Sequence, residues 1–336
     1  MLGTPRPLPA GFRSRPPDMS EIEQVVALIN RCSLALTGTA DTSVADLRRY
    51  WEDPERNLRT DNWVVEGEAG RLVACAELYE FPPYTEYEYE LYVDPTYTER
   101  GIGAHLRDLV EQRCRATMHL APPGERVYML TPIWSPNEAA RNVLEREGFR
   151  HVRDWTRMEI TLDTLPPEPA WPAGISLRTL QPGDEEATWA ATEDAFQDHW
   201  GYSPLPFAEW RYYKIDNVDG FDPTLNFLAI DDATGEIAGM ALCRAESPGD
   251  PGAGYVVDLG VRRPWRRRGL ALALLQHAFY EFALRGKRRV VLTVDAQSLT
   301  GANRLYARAG MSVSRRQLYF EKELRPAAVD DGTAAG

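Results

Sequence analysis

The sequence predicts an α/β protein built as two tandem domains, each a mixed β-sheet flanked by helices. Its length of 336 residues fits two domains of roughly 150 residues. An internal repeat points the same way. Pro9-Ala10-Gly11-Phe12-Arg13-Ser14-Arg15 returns as Pro172-Ala173-Gly174-Ile175-Ser176-Leu177-Arg178, Gly148-Phe149 as Gly310-Met311, and Gly101-Ile102-Gly103 as Gly269-Leu270-Ala271, always in the same order. Within each half, short β-branched and apolar runs interleave with helical periodicity, which gives layers of helix on sheet.

The first domain is expected over residues 8–162, with strands near 62–66, 72–79, 88–93 and 127–132 and helices over 103–116 and 138–147. Residues 163–171 form a linker, because four prolines between Leu165 and Gly174 disfavour regular structure. The second domain, 172–325, opens with a strand at 175–180 and a helix at 184–196 whose acidic start suits a helix N-terminus. A helix at 206–215 follows, then strands at 226–230 and 237–244 around the turn Asp231-Asp-Ala-Thr-Gly235. A strand at 255–261 leads into a long helix at 269–284, whose Leu270, Leu274, Leu275, Ala278, Phe279 and Phe282 recur at helical spacing. A strand at 290–294, a short helix at 302–309 and a strand at 317–322 complete it. The tail 326–336 has no apolar periodicity and is expected to be disordered.

Composition excludes several classes. A net charge of -12 argues against nonspecific nucleic-acid binding, which needs clustered cations. Cys32, Cys75, Cys114 and Cys243 are widely spaced and lack metal-ligand spacing, so buried thiols and no metal are expected. No apolar run reaches the ~18 residues of a membrane span, and the start lacks a signal-peptide stretch, which predicts a cytoplasmic protein with no membrane partner.

The sharpest chemical signal runs from Val261 to Ala271 through Arg266, Arg267, Arg268, Gly269 and Leu270. A strand enters a basic turn, and a glycine opens a long helix. Such an N-terminus presents unpaired N–H groups and the positive end of the helix dipole. Gly269 lets a ligand approach the backbone, Ala271 keeps bulk away, and the arginines add charge suited to phosphate.

With Leu305-Tyr306-Ala307-Arg308-Ala309-Gly310-Met311 on the next helix, this turn resembles the GCN5-related N-acetyltransferase (GNAT) superfamily. Arg266, Gly269 and Ala271 fit its (Arg/Gln)-x-x-Gly-x-(Gly/Ala) motif, and the likeness covers residues 8–162 and 172–325. The chain is also similar in architecture to the tandem acetyltransferases that include mycothiol synthase. The resemblance implies a mostly antiparallel sheet in each domain and acetyl-CoA or another acyl-CoA as donor. It places Leu259, Gly260 and Val261 along the pantetheine and the 266–271 turn on the pyrophosphate. It makes Tyr306 the acid that protonates the departing thiolate.

The base stays open. Tyr255 stands where many relatives carry a carboxylate; Asp258 lies on the same strand; His199 titrates near neutrality; and water alone is a further route. Asp198, His199 and Trp200, with Tyr255, are expected to line the acceptor pocket. The first half departs from the pattern. Gly101, Ile102 and Gly103 preserve a possible second coenzyme A turn, but Thr98 replaces the leading Arg or Gln and Leu144 stands where Tyr306 does. That half is expected to be silent. In Tyr84–Tyr92, tyrosines and glutamates alternate, which makes one strand face packed and one solvated, or an acidic patch for a cationic amine. The expected activity is transfer of an acetyl group to a small primary amine in the second half. Mycothiol synthase or an analogue, a non-catalytic acyl-CoA sensor, and modification of protein amines are the rival readings. A monomer with internal pseudo-symmetry or a homodimer both fit.

Overall fold

The computed structural model describes residues 4–54, 56–80, 82–298 and 301–328. The chain forms two compact units, but they do not divide at the proline-rich segment. One unit holds the residues up to Asp154 together with those from Gln317 onward, and the other is Trp155–Arg316.

In chain order the first unit contains β1 (Arg13–Arg15), α1 (Ile22–Thr37), α2 (Val44–Trp51), α3 (Leu58–Asp61), β2 (Asn62–Glu66), β3 (Leu72–Glu80), β4 (Glu86–Val93), α4 (Ile102–Thr117), β5 (Val127–Trp134) and α5 (Glu138–Arg146). A long strand, β6 (Arg150–Thr161), then leaves this unit at Asp154. The second unit continues with β7 (Ile175–Thr179), α6 (Glu185–Phe196), α7 (Phe207–Arg211), β8 (Asn226–Asp231), β9 (Ile237–Arg244), β10 (Ala253–Val261), α8 (Leu270–Leu284), β11 (Arg289–Asp295) and α9 (Ala302–Arg308). The final strand, β12 (Ser312–Arg325), starts here and ends in the first unit.

The expected boundaries are therefore corrected at both ends. The first unit's sheet runs β1-β2-β3-β4-β5 and is closed by residues 317–325, with Gln317 opposite Trp134 and Arg325 opposite Val127. The second unit's sheet runs from residues 155–161 through β11-β10-β9-β8-β7, with Trp155 opposite Asp295 and Thr161 opposite Arg289. Each unit pairs β-strands antiparallel except at one junction, β4 with β5 and β10 with β11. The alternation of side chains tells a strand which face to bury, but not which sheet edge to join.

The remaining elements follow local chemistry. Asp18 and Glu21 form a capping box ahead of α1, and Ser43 and Asn137 accept backbone N–H bonds at the starts of α2 and α5. The helix expected at 206–215 is α only to Arg211 and continues as a π-helical segment, Tyr212–Asp216. Residues 162–174 carry neither helix nor strand. Of the tail, the amide of Ala328 donates to the Gly124 carbonyl at 2.8 Å, and residues 329–336 lie outside the described residues. No described helix is long and apolar enough to cross a membrane. The four cysteines are buried free thiols.

Apolar faces meet in one core per side of each sheet. In the second unit, α8 lays Leu270, Leu274, Leu275, Ala278, Phe279 and Phe282 against the sheet. Phe282 approaches β10 so closely that a Cβ on Gly254 would lie 2.4 Å from its ring, so no larger residue fits there. In β4 of the first unit, Tyr87 and Tyr89 are fully buried, as the alternation predicts. The opposite, glutamate face is not simply solvated. Burial pushes the Glu88 carboxyl up to about 7 and the Glu90 carboxyl up to about 8.

Phe320 tests the strand exchange. It lies in β12 yet is buried in the first unit's core with Leu318, Tyr89 and Phe149. Phe320→Ala should cost ~3–5 kcal/mol. Hydrogen exchange should then show β5 amides losing protection well before those of β11. Earlier loss in β11 would contradict the assignment of this strand.

Candidate functional site

In the second unit, β10 and β11 run together only from Ala253 opposite Arg289 to Tyr255 opposite Val291. Beyond that point β10 stays bonded to β9 as far as Val261 opposite Gly239, while β11 stays bonded to residues 155–158. The two strands part, and the edge of β10 that faces the gap has no strand partner among the described residues. A β-bulge between Val256 and Asp258 lies at the start of the parting and inserts Val257. Bulges re-aim side chains and end pairing. The opening is a cavity of about 1030 Å³, lined along its length by residues 256–261 of β10 and 292–295 of β11.

One end of the cavity meets the turn before α8. Gly269 occupies the left-handed region at φ 84 and caps α8 without any side-chain hydrogen bond, so the first N–H groups of the helix remain open. Arg267 also has a positive φ of 64. The arginines of this turn divide into two groups. Arg266 is engaged within the protein. Its Nε donates to the Val261 carbonyl at 2.9 Å, Nη2 to the Ala195 carbonyl at 3.0 Å, and Nη1 to Asp198 at 2.5 Å. Arg263 also grips Asp198 at 2.6 Å, and together they hold that carboxyl well below the usual range. Asp198, expected to meet substrate, lines the cavity and also ties the end of α6 to the turn, and Arg266 shapes the turn where free charge was expected. Arg267 lines the cavity and is exposed, with no ionic or hydrogen-bonding partner among the described residues.

Along the cavity wall, Tyr306 of α9 is 7% exposed, and no described residue hydrogen-bonds its hydroxyl. Burial pushes its phenol up to about 12, so it keeps its proton throughout the neutral range. His199 follows α6 with its ring 4.5 Å from that of Phe196. Burial pulls its imidazole below the usual value, against the opposing charges of Asp295 and Asp258, and leaves it neutral near pH 7. Asp258 lines the cavity, but its Oδ2 sits 2.7 Å from Lys214 Nζ of the π-helical segment. Leu259, Gly260, Val261, Leu270 and Ala271 also line it. Tyr255, Trp200 and Arg268 are not among its lining residues: Tyr255 is held between β9 and β11, and Trp200 is turned to the surface at 36% exposure.

Sequence reasoning missed Trp155, Phe196, Asp295, Arg304 and Arg308, which all line the cavity. Trp155 enters on the exchanged strand, for which no sequence signal was found. Arg304 and Arg308 were open to detection, because they stand four residues apart on the helix that carries Tyr306.

The first unit preserves the turn and the parting of strands, since β4 pairs with β5 only from Glu86 to Glu88 and then continues on β3, but it loses the other features of the site. Glu99 and Gly101 have φ 63 and 80, close to those of Arg267 and Gly269. Yet Glu99 puts a carboxylate where Arg267 stands, and Leu144 is buried core. The β3–β4 register runs unbroken from Val93 to Tyr87, without the bulge of β10.

The Acetyltransferase (GNAT) family profile matches residues 24–149 and again 186–311. The chain is similar to a mycothiol acetyltransferase of Salinispora arenicola, 31% identical over 72% of this chain and 75% of the relative. It is also similar to a GCN5-related N-acetyltransferase from Sphaerobacter thermophilus of known crystal structure, 37% identical with a TM-score of 0.81 over 96% of this chain and 98% of the other. A tandem GNAT protein from the clavulanic acid biosynthesis pathway shares the fold, with a TM-score of 0.72 at 19% identity over 94% of this chain and 100% of the other.

Proposed function

The chain belongs to the GNAT acetyltransferase family and is an N-acetyltransferase, and from that premise we propose that its second unit moves the acetyl group of acetyl-CoA to a primary amine of a small molecule. The observation that carries this reading is the parting of β10 and β11, with a free phenol on one wall and an uncapped helix N-terminus at one end. Family members take their acyl group from acyl-coenzyme A. The unpaired edge of β10 offers an extended pantetheine the backbone bonds of a missing strand, and the α8 N-terminus offers N–H groups to the pyrophosphate.

The amine nitrogen attacks the thioester carbonyl, and backbone N–H groups on the open edge of β10 stabilise the oxyanion. The nitrogen's proton passes to His199, directly or through water. Asp258 is the weaker candidate because Lys214 already holds its carboxylate. Collapse of the tetrahedral centre breaks the C–S bond, and the thiolate takes the proton of Tyr306. A second reading, that the acceptor is that of the mycothiol acetyltransferases, draws on the identity to that relative. Comparing turnover on the mycothiol precursor amine with turnover on a panel of simple amines separates the two.

Tyr306→Phe removes the hydroxyl and keeps the ring. Donor binding should persist while kcat falls, within the 10²–10⁴-fold range of general acid catalysis and toward its lower end. Free-thiol release in a single turnover measures it, and wild-type rates would eliminate Tyr306 as the acid.

His199 must be neutral to accept a proton. Since burial lowers its pKa, activity should be retained down through pH 6.5 and be lost only as pH falls further. The acid limb of kcat should disappear in His199→Gln. An unchanged limb in that variant assigns the titration to another group.

Gly101 and Gly269 give matched variants. Both have positive φ, and a Cβ on either meets nothing within 4 Å, so valine imposes the same backbone strain without a clash. Calorimetry should find donor binding reduced at least tenfold in Gly269→Val and little changed in Gly101→Val. Equal losses would defeat the assignment of the chemistry to the second unit.

A further inference from the structure

Around the cavity of the second unit, the arginines divide into engaged and unengaged groups. Arg262 bonds Asp194 at 2.6 Å, while Arg263 and Arg266 close on Asp198. Three that line the cavity are unengaged: Arg267 before α8, and Arg304 and Arg308 on α9. All three are exposed, and among the described residues none has an acidic or side-chain partner. Residues four apart on a helix share one face, so Arg304 and Arg308 project side by side. Tyr306 lies between them in sequence and is turned inward, which puts the two guanidinium groups at the mouth of the cavity and the phenol within it.

An acidic protein that leaves three cations unneutralised at the rim of one cavity has a place for an anion. The open N–H groups of α8 already serve one phosphate position. Arg304 and Arg308 stand on a different element and constitute a second. In a coenzyme A thioester, the anionic group left over once the pyrophosphate takes the α8 N-terminus is the phosphate monoester on the ribose. We propose that Arg304 and Arg308, with Arg267 beside the turn, bind the ribose 3′-phosphate of the donor and make the enzyme select coenzyme A thioesters over their 3′-dephospho forms. Guanidinium groups suit this role because they donate several charge-assisted bonds in a fixed plane. The first unit provides a contrast. The equivalent places hold Glu99, Asn142 and Arg146, and Arg146 donates back to the Asn142 carbonyl at 3.0 Å.

This inference rests on the acyl-CoA reading, and the test separates the two. Binding of coenzyme A and of 3′-dephospho-coenzyme A is measured by calorimetry on the full-length protein and on the Arg304→Ala/Arg308→Ala variant. Neither side chain supports the fold, so the melting temperature should not change and serves as the control. The wild type should prefer coenzyme A by roughly tenfold or more, as expected for hydrogen bonds to a charged group. In the variant the preference should fall to about one, with 3′-dephospho-coenzyme A bound as well as before. A wild type without preference, or a variant that retains it, overturns the arginine assignment and leaves the acyl-CoA reading intact. A wild type that binds neither compound overturns the acyl-CoA reading, and this inference with it.

Discussion

Two strands that begin as a parallel pair and then separate organise the rest of the second unit. A sheet normally consumes the backbone bonding capacity of its inner strands. Here β10 and β11 share only three register positions, Ala253 to Tyr255 on one side, and then each is held by its outer neighbour alone. The separation yields a cavity and an unpaired backbone edge at once. It depends on both outer partners: β9 must hold β10 as far as Val261, and the exchanged residues 155–161 must hold β11 as far as Asp295. The bulge at Val257 lies at the fork, where the change of direction has to be absorbed.

Charge is distributed around this opening with equal economy. The sequence from Arg262 to Arg268 reads as a basic cluster, but the folded turn sorts it. Asp194 and Asp198 at the end of α6 neutralise Arg262, Arg263 and Arg266, and the last of these also bonds two backbone carbonyls. Those arginines fix the course of the loop between β10 and α8. Among the cavity's lining residues, what remains are Arg267 before α8 and Arg304 and Arg308 on α9, cations on two elements with no acidic partner among the described residues. Asp194 and Asp198, the second of which the sequence presents as an acceptor-pocket residue, thereby decide which arginines can meet a ligand.

Much of this was legible in the sequence because it is local. The spacing of Leu270, Leu274, Ala278 and Phe282 sets a helix, the glycine before it sets the left-handed cap, and Ile237 to Arg244 is a strand on its apolar run alone. Tyr306 and Gly269 were placed by motif and spacing together. Pairing was not legible. Residues 155–161 alternate, with Thr156 and Met158 buried on one face and Arg157 and Glu159 on the other, but alternation says which face to bury and nothing near them in sequence shows that they complete another unit's sheet. The same limit explains Trp155 and Asp295 in the cavity, since they become neighbours only when that strand is in place. The roles of Asp198 and Asp258 likewise depended on distant partners, Arg263 and Arg266 for one and Lys214 for the other.

The two units show which features of the fold are robust and which are easily lost. The turn before the long helix survives in both with nearly the same dihedral angles, although Glu99 and Arg267 have opposite charge. The conformation is dictated by the glycine and by the short 3-10 turns before it, Pro95–Tyr97 and Arg263–Trp265, so it persists whatever ligand it meets. The bulge, the inward phenol and the free arginines are different, since each is the outcome of one or two residues. Leu144 fills the place of Tyr306 with buried apolar surface, and the register of β3 with β4 closes without an extra residue. Removing a polar group from a buried position and straightening a strand both favour stability, so a domain released from catalysis drifts toward them. On the proposed reading, the first unit has the geometry expected of a fold that kept its scaffold and gave up its chemistry.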